Sequence, residues 1–251
     1  MGAAAIDPQT ICNVTIIGDP DETARLRRRL RRGGPESGPI PWSVDGAEHT
    51  VHLAELSSRA PVAELERSIR VADGVITVVH AAVRRAPRLE SILRMADDHQ
   101  VARLCLVTGL DHPAADFDRC VRAIADIRGA VPVALHSPMG AGPGFEGVID
   151  VVPMWSLAPM AAEFFGDHWP VAERRYRDLM TAVLEQDIAS AVVPAEQLVD
   201  RIRRLTHIGE AVPVLCDPAP AVDDVAPLLD AIVRYLPSPL HVWQPEHSLD
   251  C

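Results

Sequence analysis

Lysine is absent from this chain, so all 24 of its basic residues are arginines. The absence excludes every mechanism that requires an ammonium group. The chain also has no apolar run of about 18 residues, the length that a membrane-spanning helix needs. Residues 1–10 carry a single charge, on Asp7, and do not fit a signal peptide. We therefore expect a cytoplasmic protein that makes no contact with a membrane.

The cysteines have no paired spacing. Three of the five, Cys12, Cys105 and Cys216, lie in apolar runs that are typical of strands. We expect these three to be buried free thiols in a reducing compartment. The spacing favours neither a disulfide framework nor a metal site.

The charge balance is acidic, with a formal net charge of −11. An independent nucleic-acid-binding domain is expected to carry a basic face, so the balance argues against one. The one basic cluster, Arg25 to Arg32, has leucines at Leu26 and Leu30, four residues apart. We expect a helix with these leucines towards the core and the arginines in solvent, and an RNA-binding role for the cluster is the alternative.

Apolar runs alternate with amphipathic segments along the chain, which predicts an α/β fold with a doubly wound, mostly parallel sheet. Continuous aliphatic runs such as GVITVV indicate strands buried on both faces. The predicted strands are Val14–Ile17, His49–Ala54, Gly74–His80, Arg103–Thr108, Val131–Leu135 and Val212–Cys216. The predicted helices are Thr23–Arg32, Val62–Ala72, Arg88–Asp98, Ala114–Arg128, Ala195–His207 and Val222–Tyr235.

Two regions interrupt the alternation. Gly33 to Gly46 is rich in glycine and proline, which predicts a loop. Residues 137–188 form an insertion, in which we predict a Gly-rich turn, a strand at Val148–Val152 and a helix at Val171–Ile188. The turn fits G-x-G-x-x-G from Gly142 to Gly147, but a strand-like run follows it where a dinucleotide site requires a helix. We interpret it as an ordinary turn.

The turn after the first strand occupies the place of a phosphate-binding loop. Such a loop needs backbone amides around the phosphates, a lysine between them and a Ser or Thr on magnesium. This turn has Pro20, which lacks an amide hydrogen, and carboxylates that repel a phosphate. Thr23 is the residue that could meet magnesium, and Asp21 is expected to cap the helix instead.

Several segments resemble the GTPase domain of translation elongation factor G. They are ELERSIRVADGVITVV from Glu64, HSPMGAGPGFEGVIDVVPM from His136, VPVLC from Val212 and LLDAIVRYLPSPLHV from Leu228. The resemblance extends from about Asn13 to about Val242 and implies a translational-GTPase-like fold of the P-loop NTPase class. It implies a core of residues 11–136 and 189–242, a shortened insert subdomain of residues 137–188 and a tail of residues 243–251.

The resemblance also implies where the family's nucleotide-binding residues would lie. Its magnesium-linked Asp falls on Ala54, its γ-phosphate Gly on Ser57 and its water-positioning His on Ser58. Of the guanine motif only Asp111 remains, and of the last motif only Ala219. The candidate remnants of the nucleotide site are Gly18, Asp21, Thr23, Asp111 and Ala219.

Phosphoryl transfer relies on a lysine, Mg²⁺ and a positioned water for its charge stabilisation. At the positions that the resemblance implies, this chain has no lysine, no magnesium-linked Asp and no water-positioning His. We therefore expect a pseudo-GTPase without catalytic residues, bound metal or cofactor. Its expected role is a non-catalytic interaction module for a protein partner or the ribosome. Two alternatives remain: weak, Mg²⁺-dependent binding of GTP or GDP, and a small-molecule site in the vacated pocket at the strand ends. The resemblance further implies that His49–Ala54 is an antiparallel strand at or near a sheet edge, with the other five strands central.

Overall fold

The computed structural model describes residues 8–31, 38–84, 86, 88–184, 193–218 and 224–240. The predicted tail at residues 243–251, and with it Cys251, lies outside this described part, as does Ala219. In the described part, no helix has both the length and the apolar character that a membrane crossing requires.

Strands and helices alternate along most of the described chain. The strands are β1 (Ile11–Gly18), β2 (Ile40–Val44), β3 (Ala47–Ser57), β4 (Gly74–His80), β5 (Ala102–Thr108), β6 (Val131–Ala134), β7 (His136–Met139), β8 (Gly147–Asp150) and β9 (Ala211–Cys216). The helices are α1 (Pro20–Leu30), α2 (Val62–Arg70), α3 (Leu89–Asp98), α4 (Phe117–Ala125), α5 (Val151–Trp155), α6 (Ala158–Phe165), α7 (Trp169–Val183), α8 (Ala195–His207) and α9 (Ala226–Tyr235).

Within the described residues, seven strands form the main sheet in the order β2-β3-β1-β4-β5-β9-β6. All neighbouring pairs are parallel except β2 with β3. The mostly parallel sheet predicted from the sequence is therefore confirmed.

Helices cover both faces of the sheet, because alternate residues of its central strands point to opposite sides. On β5, Leu104 and Leu106 pack in the cluster that contains residues of α1, α8 and α9. Cys105 and Val107 pack in the cluster that contains residues of α3 and α4. The doubly wound architecture is thus confirmed, and the cysteines on β1, β5 and β9 are buried free thiols as expected.

The strand at this edge is β2, and the sequence did not predict it. Ile40–Val44 was predicted as loop, whereas it pairs antiparallel with β3. The strand predicted at His49–Ala54 is the longer β3, and its predicted position near an edge is confirmed, since it is second from the edge. It is antiparallel to β2 as predicted, but parallel to its other neighbour, β1. Asp45 and Gly46, with φ of 52° and 81°, form the two-residue turn between β2 and β3. Asp-Gly is a strong hairpin signal for such a turn, and the edge position tolerates the missing amide hydrogen of Pro41.

The strand predicted at Val131–Leu135 is not central. It forms β6, which among the described strands pairs with β9 alone and lies at the opposite edge of the sheet. Its burial pattern agrees with this position, because Val131 is 47% exposed while Val133 is 1% exposed. A short strand with one exposed apolar residue at its start is typical of an edge, and the sequence alone did not separate it from the buried strands.

The insert contributes a second, two-stranded antiparallel sheet of β7 and β8. The predicted strand Val148–Val152 ends earlier than expected, because Asp150 accepts a hydrogen bond from the Val152 amide and caps α5. The β7–β8 hairpin of the insert lies outside the main sheet, but the helices of the insert pack on the core. Trp169, Tyr176 and Leu179 of α7 belong to the same buried cluster as the β1 residues Val14 and Ile16. The boundaries of an insert subdomain stay a prediction.

Candidate functional site

The connection between β1 and α1 is a single residue, Asp19. β1 ends at Gly18, which is packed so closely that an added Cβ would lie 2.8 Å from Val78 Cβ. The helix begins at Pro20, where a missing amide hydrogen costs nothing, because the first amides of a helix have no partner within it. The Asp19 carboxylate accepts a hydrogen bond from the Asp21 amide at 3.2 Å. Asp19 is therefore the N-cap, and the prediction that Asp21 caps the helix is wrong.

The end of β3 is tied to this turn. The Ser58 amide donates to the Gly18 carbonyl at 2.7 Å, and Ser57 Oγ accepts from the Arg59 amide at 3.1 Å. Arg59 Nη2 lies 2.5 Å from Asp19 Oδ2. Backbone and side-chain bonds therefore join the two segments on which the family's phosphate and magnesium contacts would fall.

A cavity of about 710 Å³ lies beside this region, at the carboxyl ends of β4, β5 and β9. One wall is the face of α1 that carries Glu22, Arg25 and Arg29, and the other is the segment from Thr108 to Pro113 that follows β5. Leu26 of α1 and Phe145 of the insert also line the cavity. Open α/β sheets place ligands outside the carboxyl ends of their strands, so this cavity is the candidate functional site. We call it the base-side cavity, since the resemblance puts the guanine motif along it.

Ion pairs neutralise two of the arginines in the cavity wall. Arg29 Nη1 lies 2.6 Å and 2.9 Å from the two carboxylate oxygens of Asp217, at the end of β9. Burial raises the pKa of Asp217, and the contact with Arg29 opposes that rise. Arg25 pairs with Glu22 on its own helix at 2.9 Å. The Arg29–Asp217 pair links α1 to the end of β9 in the lining of the cavity.

His80 lies over Gly109 at the floor of the cavity. Gly109 has a φ of +66°, and a Cβ added there would lie 2.3 Å from His80 Nε2. The resemblance puts the lysine of the guanine motif at Gly109, so the imidazole covers a position that has no side chain of its own. His80 also makes an edge contact with His112, with 5.9 Å between the ring centroids.

The predicted site residues fall into two groups. Gly18 and Thr23 are buried at the β1–α1 turn, and the Thr23 hydroxyl donates to the Pro20 carbonyl at 3.2 Å. Asp21 is exposed in the first turn of α1. Asp111 lines the base-side cavity and is exposed. The structure does not bring Gly18, Asp21 and Thr23 into the cavity lining, and Ala219 lies outside the described residues.

The turn next to β1 is filled, but the base-side cavity is open. Sequence reasoning missed its lining residues Arg28, Arg29 and His80. Two signals were present: Arg25, Arg28 and Arg29 share a helix face at spacings of three and four, and His80 ends a predicted parallel strand.

The fold class is that of the P-loop GTPases, with a mostly parallel, helix-covered sheet. Residues 61–238 match the model of the elongation factor Tu GTP binding domain, and the chain belongs to that family. The β1–α1 turn precedes the matched residues. A crystal structure of a protein from Thermus thermophilus has a TM-score of 0.70 to this chain at 20% sequence identity. That similarity, which concerns the fold alone, covers 92% of this chain and 41% of the other, so this chain spans less than half of that protein's length.

Proposed function

We propose that this member of the family does not hydrolyse GTP and acts as a non-catalytic interaction module, with a protein partner or the ribosome as its target. The observation that carries the proposal is the one-residue connection between β1 and α1. A P-loop of the form G-x-x-x-x-G-K-[ST] uses the residues between its glycines to wrap amides around the phosphates. With only Asp19 between strand and helix, there is no such loop to supply them.

Charge at the turn supports the same proposal. The first helix amides, which could bind an anion, face carboxylates of the chain itself: Asp19 as the cap, then Asp21 and Glu22 in the first turn. Each carboxylate repels a phosphate charge by about 1 kcal/mol at roughly 4 Å even in bulk water. The chain has no lysine, and the planar guanidinium of arginine is a poor replacement for an ammonium group between phosphates.

The end of β3 offers no replacement for magnesium or water contacts. Ala54, Ser57 and Ser58 occupy the positions that the resemblance assigns to the magnesium-linked Asp, the γ-phosphate Gly and the water-positioning His. The Ser58 amide is already bonded to Gly18, and Ser57 Oγ to the Arg59 amide. Loss of these contacts, together with the lysine, removes the charge stabilisation on which phosphoryl transfer depends.

An apolar surface on the insert supports a binding role. Leu157, Met160 and Phe164 are 46%, 70% and 82% exposed, and they lie at spacings of three and four along α6 and its N-cap. Such a spacing puts the three side chains on one side of the helix. Exposed apolar groups that cluster in this way are typical of protein interaction sites. We place the interaction in the cytoplasm, where thiols such as the buried Cys12 and Cys120 remain reduced.

Nucleotide binding and hydrolysis test the first half of the proposal. GTP or GDP with Mg²⁺ at millimolar concentration should leave the melting temperature unchanged, and phosphate release should stay at the buffer background. A ligand at about 100 times its Kd would stabilise the fold by about 2.7 kcal/mol, which a thermal shift detects. A shift that Asp111→Ala removes would replace the proposal with residual guanine-nucleotide binding.

Sedimentation with purified ribosomes tests the second half. If the α6 surface contacts the ribosome, Phe164→Ser should reduce the fraction of protein that pellets. Val71→Ser is the matched control, because Val71 is 75% exposed but lies at the end of α2. If the protein does not pellet, or if both variants behave alike, the ribosome is not reached through this surface.

A second candidate function is a small-molecule site in the base-side cavity. The observation that favours it is the cavity itself, since ligand pockets typically have volumes of about 300–1,000 Å³ and this one has about 710 Å³. Its lining mixes apolar side chains such as Leu26 and Phe145 with converging polar groups such as Thr108 and His80. This role is compatible with a non-catalytic interaction module, because a ligand can stabilise a fold that binds a partner.

A further inference from the structure

Among the described residues, the base-side cavity contains one cation without a counter-charge. Arg28 lines the cavity with Arg25 and Arg29, and both of those are held in ion pairs. The Arg28 guanidinium donates through Nε to the Ala24 carbonyl at 3.3 Å, and no acidic group of the described residues lies within salt-bridge distance of it. Its two terminal nitrogens are therefore available to bind a carboxylate in the bidentate manner that arginine favours.

A buried hydroxyl without a partner in the described part of the chain lies in the other wall, the segment that follows β5. Thr108, the last residue of β5, lines the cavity and is 4% exposed. Its Oγ1 makes no hydrogen bond to any described residue. Buried hydroxyl groups in proteins almost always have a partner, and leaving one unpaired costs free energy. A ligand atom that accepts or donates a hydrogen bond at this position would supply the partner.

The two imidazoles add hydrogen-bond donors. His80 Nδ1 accepts from the Ala82 amide at 3.2 Å, and His112 Nδ1 accepts from the Ala114 amide at 3.1 Å. Because Nδ1 is an acceptor in each ring, the neutral form carries its hydrogen on Nε2. Both lining histidines thus offer an N–H to a ligand, and an acceptor-rich ligand suits them.

The cavity walls also offer flat apolar surface. The rings of His80 and His112 lie edge to face, and Phe145 and Leu26 are among the apolar side chains of the lining. Aromatic rings pack well in such offset or edge-on arrangements. We propose that the base-side cavity binds a planar organic acid, with its carboxylate on Arg28 and its ring against His80, His112 and Phe145. This inference rests on the second candidate function above.

Calorimetric titration with three probes separates the parts of this ligand. Benzoate has the ring and the carboxylate, benzamide has the ring without the charge, and acetate has the carboxylate without the ring. Benzoate should bind saturably at one site and about tenfold more tightly than benzamide, the factor expected from one charge-assisted hydrogen-bonded pair. Acetate should bind more weakly than benzoate. No saturable benzoate binding, or equal binding of benzoate and benzamide, would overturn the proposal.

Two variants test whether benzoate binds in the base-side cavity. Arg28→Gln should weaken benzoate binding about tenfold and leave benzamide binding unchanged. Arg94→Gln is the matched control, because Arg94 is exposed on α3 and pairs only with Glu90 among the described residues. Thr108→Val keeps the side-chain shape and should weaken benzoate binding without lowering the melting temperature of the free protein, since the hydroxyl it removes has no partner among the described residues. Benzoate binding that both Arg28→Gln and Thr108→Val leave unchanged would place the acid elsewhere and contradict the proposal.

Asp111 distinguishes this ligand from a guanine nucleotide. Its exposed carboxylate lines the cavity and has no hydrogen-bond or ion-pair partner among the described residues, so it repels a bound acid. Asp111→Asn should therefore strengthen benzoate binding, whereas it should abolish recognition of guanine ring N–H groups. Weaker benzoate binding in Asp111→Asn would overturn the proposal. A parallel phosphate-release assay with GTP keeps the two ideas separate: hydrolysis would refute the non-catalytic role, and loss of benzoate binding alone would refute only the organic acid.

Discussion

Asp19 and Arg59 form an ion pair across the carboxyl edge of the sheet, with 2.5 Å between Oδ2 and Nη2, although they lie 40 residues apart in sequence. The other oxygen of the same carboxylate caps α1 through the Asp21 amide. One side chain thus satisfies a helix amide and joins the β1–α1 turn to the segment after β3. The resemblance assigns phosphate contacts to this turn, and in the structure the turn holds the protein's own charge pair.

Asp19→Ala should lower the free energy of unfolding by about 1 kcal/mol, the usual value of an N-cap side chain. The ion pair adds little to this, because its side chains are 42% and 77% exposed and water screens them. Urea denaturation measures the difference. Asp21→Ala is the control and should cost only a few tenths of a kcal/mol, through the helix dipole. If Asp21→Ala were the more damaging of the two, the assignment of the cap to Asp19 would be wrong.

Arg103 lies fully buried at the amino end of β5, whereas the cavity lies at the carboxyl end of this strand. Its guanidinium donates to the carbonyls of Leu93 and Gly129 at 3.3 Å and 3.1 Å, and also to that of Gly209. It pairs with Asp97 at 2.8 Å. One side chain therefore satisfies carbonyls from α3 and from the turns before β6 and β9.

Arg103→Met should destabilise the protein by at least about 3 kcal/mol, because each buried carbonyl that loses its donor costs about 1–3 kcal/mol. Arg94→Met, on the exposed face of α3, should cost less than about 0.5 kcal/mol. Equilibrium unfolding in urea compares the two variants. A small loss in Arg103→Met would mean that water replaces the guanidinium at these carbonyls.

The sheet could be predicted because its strands are encoded locally. Continuous aliphatic runs identified β4, β5 and β9 almost to the residue, since strands buried on both faces leave no room for polar side chains. Arg103 shows the limit: it lies inside such a run, and its partners come from turns that sequence periodicity does not place in space. The edge strand β2 was missed for a different reason, as the Asp45-Gly46 signal was present but its proline-rich surroundings suggested a loop.

The site was predicted less well than the fold. The sequence predicts that the residues around the β1–α1 turn are unsuited to phosphate, and this stays a prediction. The identity of the cap could not be predicted in the same way, because it depends on where α1 begins. Pro20 sets that beginning three residues earlier than the predicted Thr23. The base-side cavity depends on tertiary contacts such as Arg29–Asp217, which joins residues 188 positions apart. No local pattern in the sequence indicates that Arg29, and not its neighbour Arg28, pairs with Asp217.

His136 should make the stability of the protein depend on pH. The ring is buried at the base of the β7–β8 hairpin, where Nδ1 accepts from the Cys216 amide at 3.1 Å. Burial lowers the pKa of His136, and the charge of Asp150 opposes this shift. The unfolded chain therefore binds a proton at a higher pH than the folded one does. The stability is complete above the unfolded pKa of about 6.5 and falls as the pH drops below it, by at most about 1.4 kcal/mol per pH unit.

The measurement is urea unfolding at about pH 7.5 and about pH 5.5, on either side of the ordinary histidine pKa. His136→Asn keeps a hydrogen-bond acceptor for Cys216 but cannot take up a proton, so its stability should change less between the two conditions. His52→Asn, on the exposed side of β3, controls for the loss of a histidine elsewhere. Equal pH dependence in wild type and His136→Asn would show that other groups are responsible.

The last prediction concerns an attempt to restore the phosphate-binding loop. The triple change Thr23→Gly, Ala24→Lys and Arg25→Thr reproduces the Gly-Lys-Thr sequence of the family. All three positions lie inside α1, where the Thr23 amide already donates to the Asp19 carbonyl at 3.0 Å. The introduced lysine would project from the side of a helix, because the residues that should form a loop before it are themselves helical from Pro20 onwards.

This variant should show no GTP hydrolysis above the wild-type background and no thermal stabilisation by GTP with Mg²⁺. It should also lose stability, since glycine within a helix costs about 1 kcal/mol relative to alanine and the buried Thr23 side chain is removed. Thr23→Gly alone provides the stability control. Phosphate release that requires Ala24→Lys would show that the β1–α1 turn can rearrange around a nucleotide, and the chain would then have to be interpreted as a GTPase that lacks only its lysine. We expect the opposite, because Ala54, Ser57 and Ser58 would still supply neither a magnesium ligand nor a group that positions water.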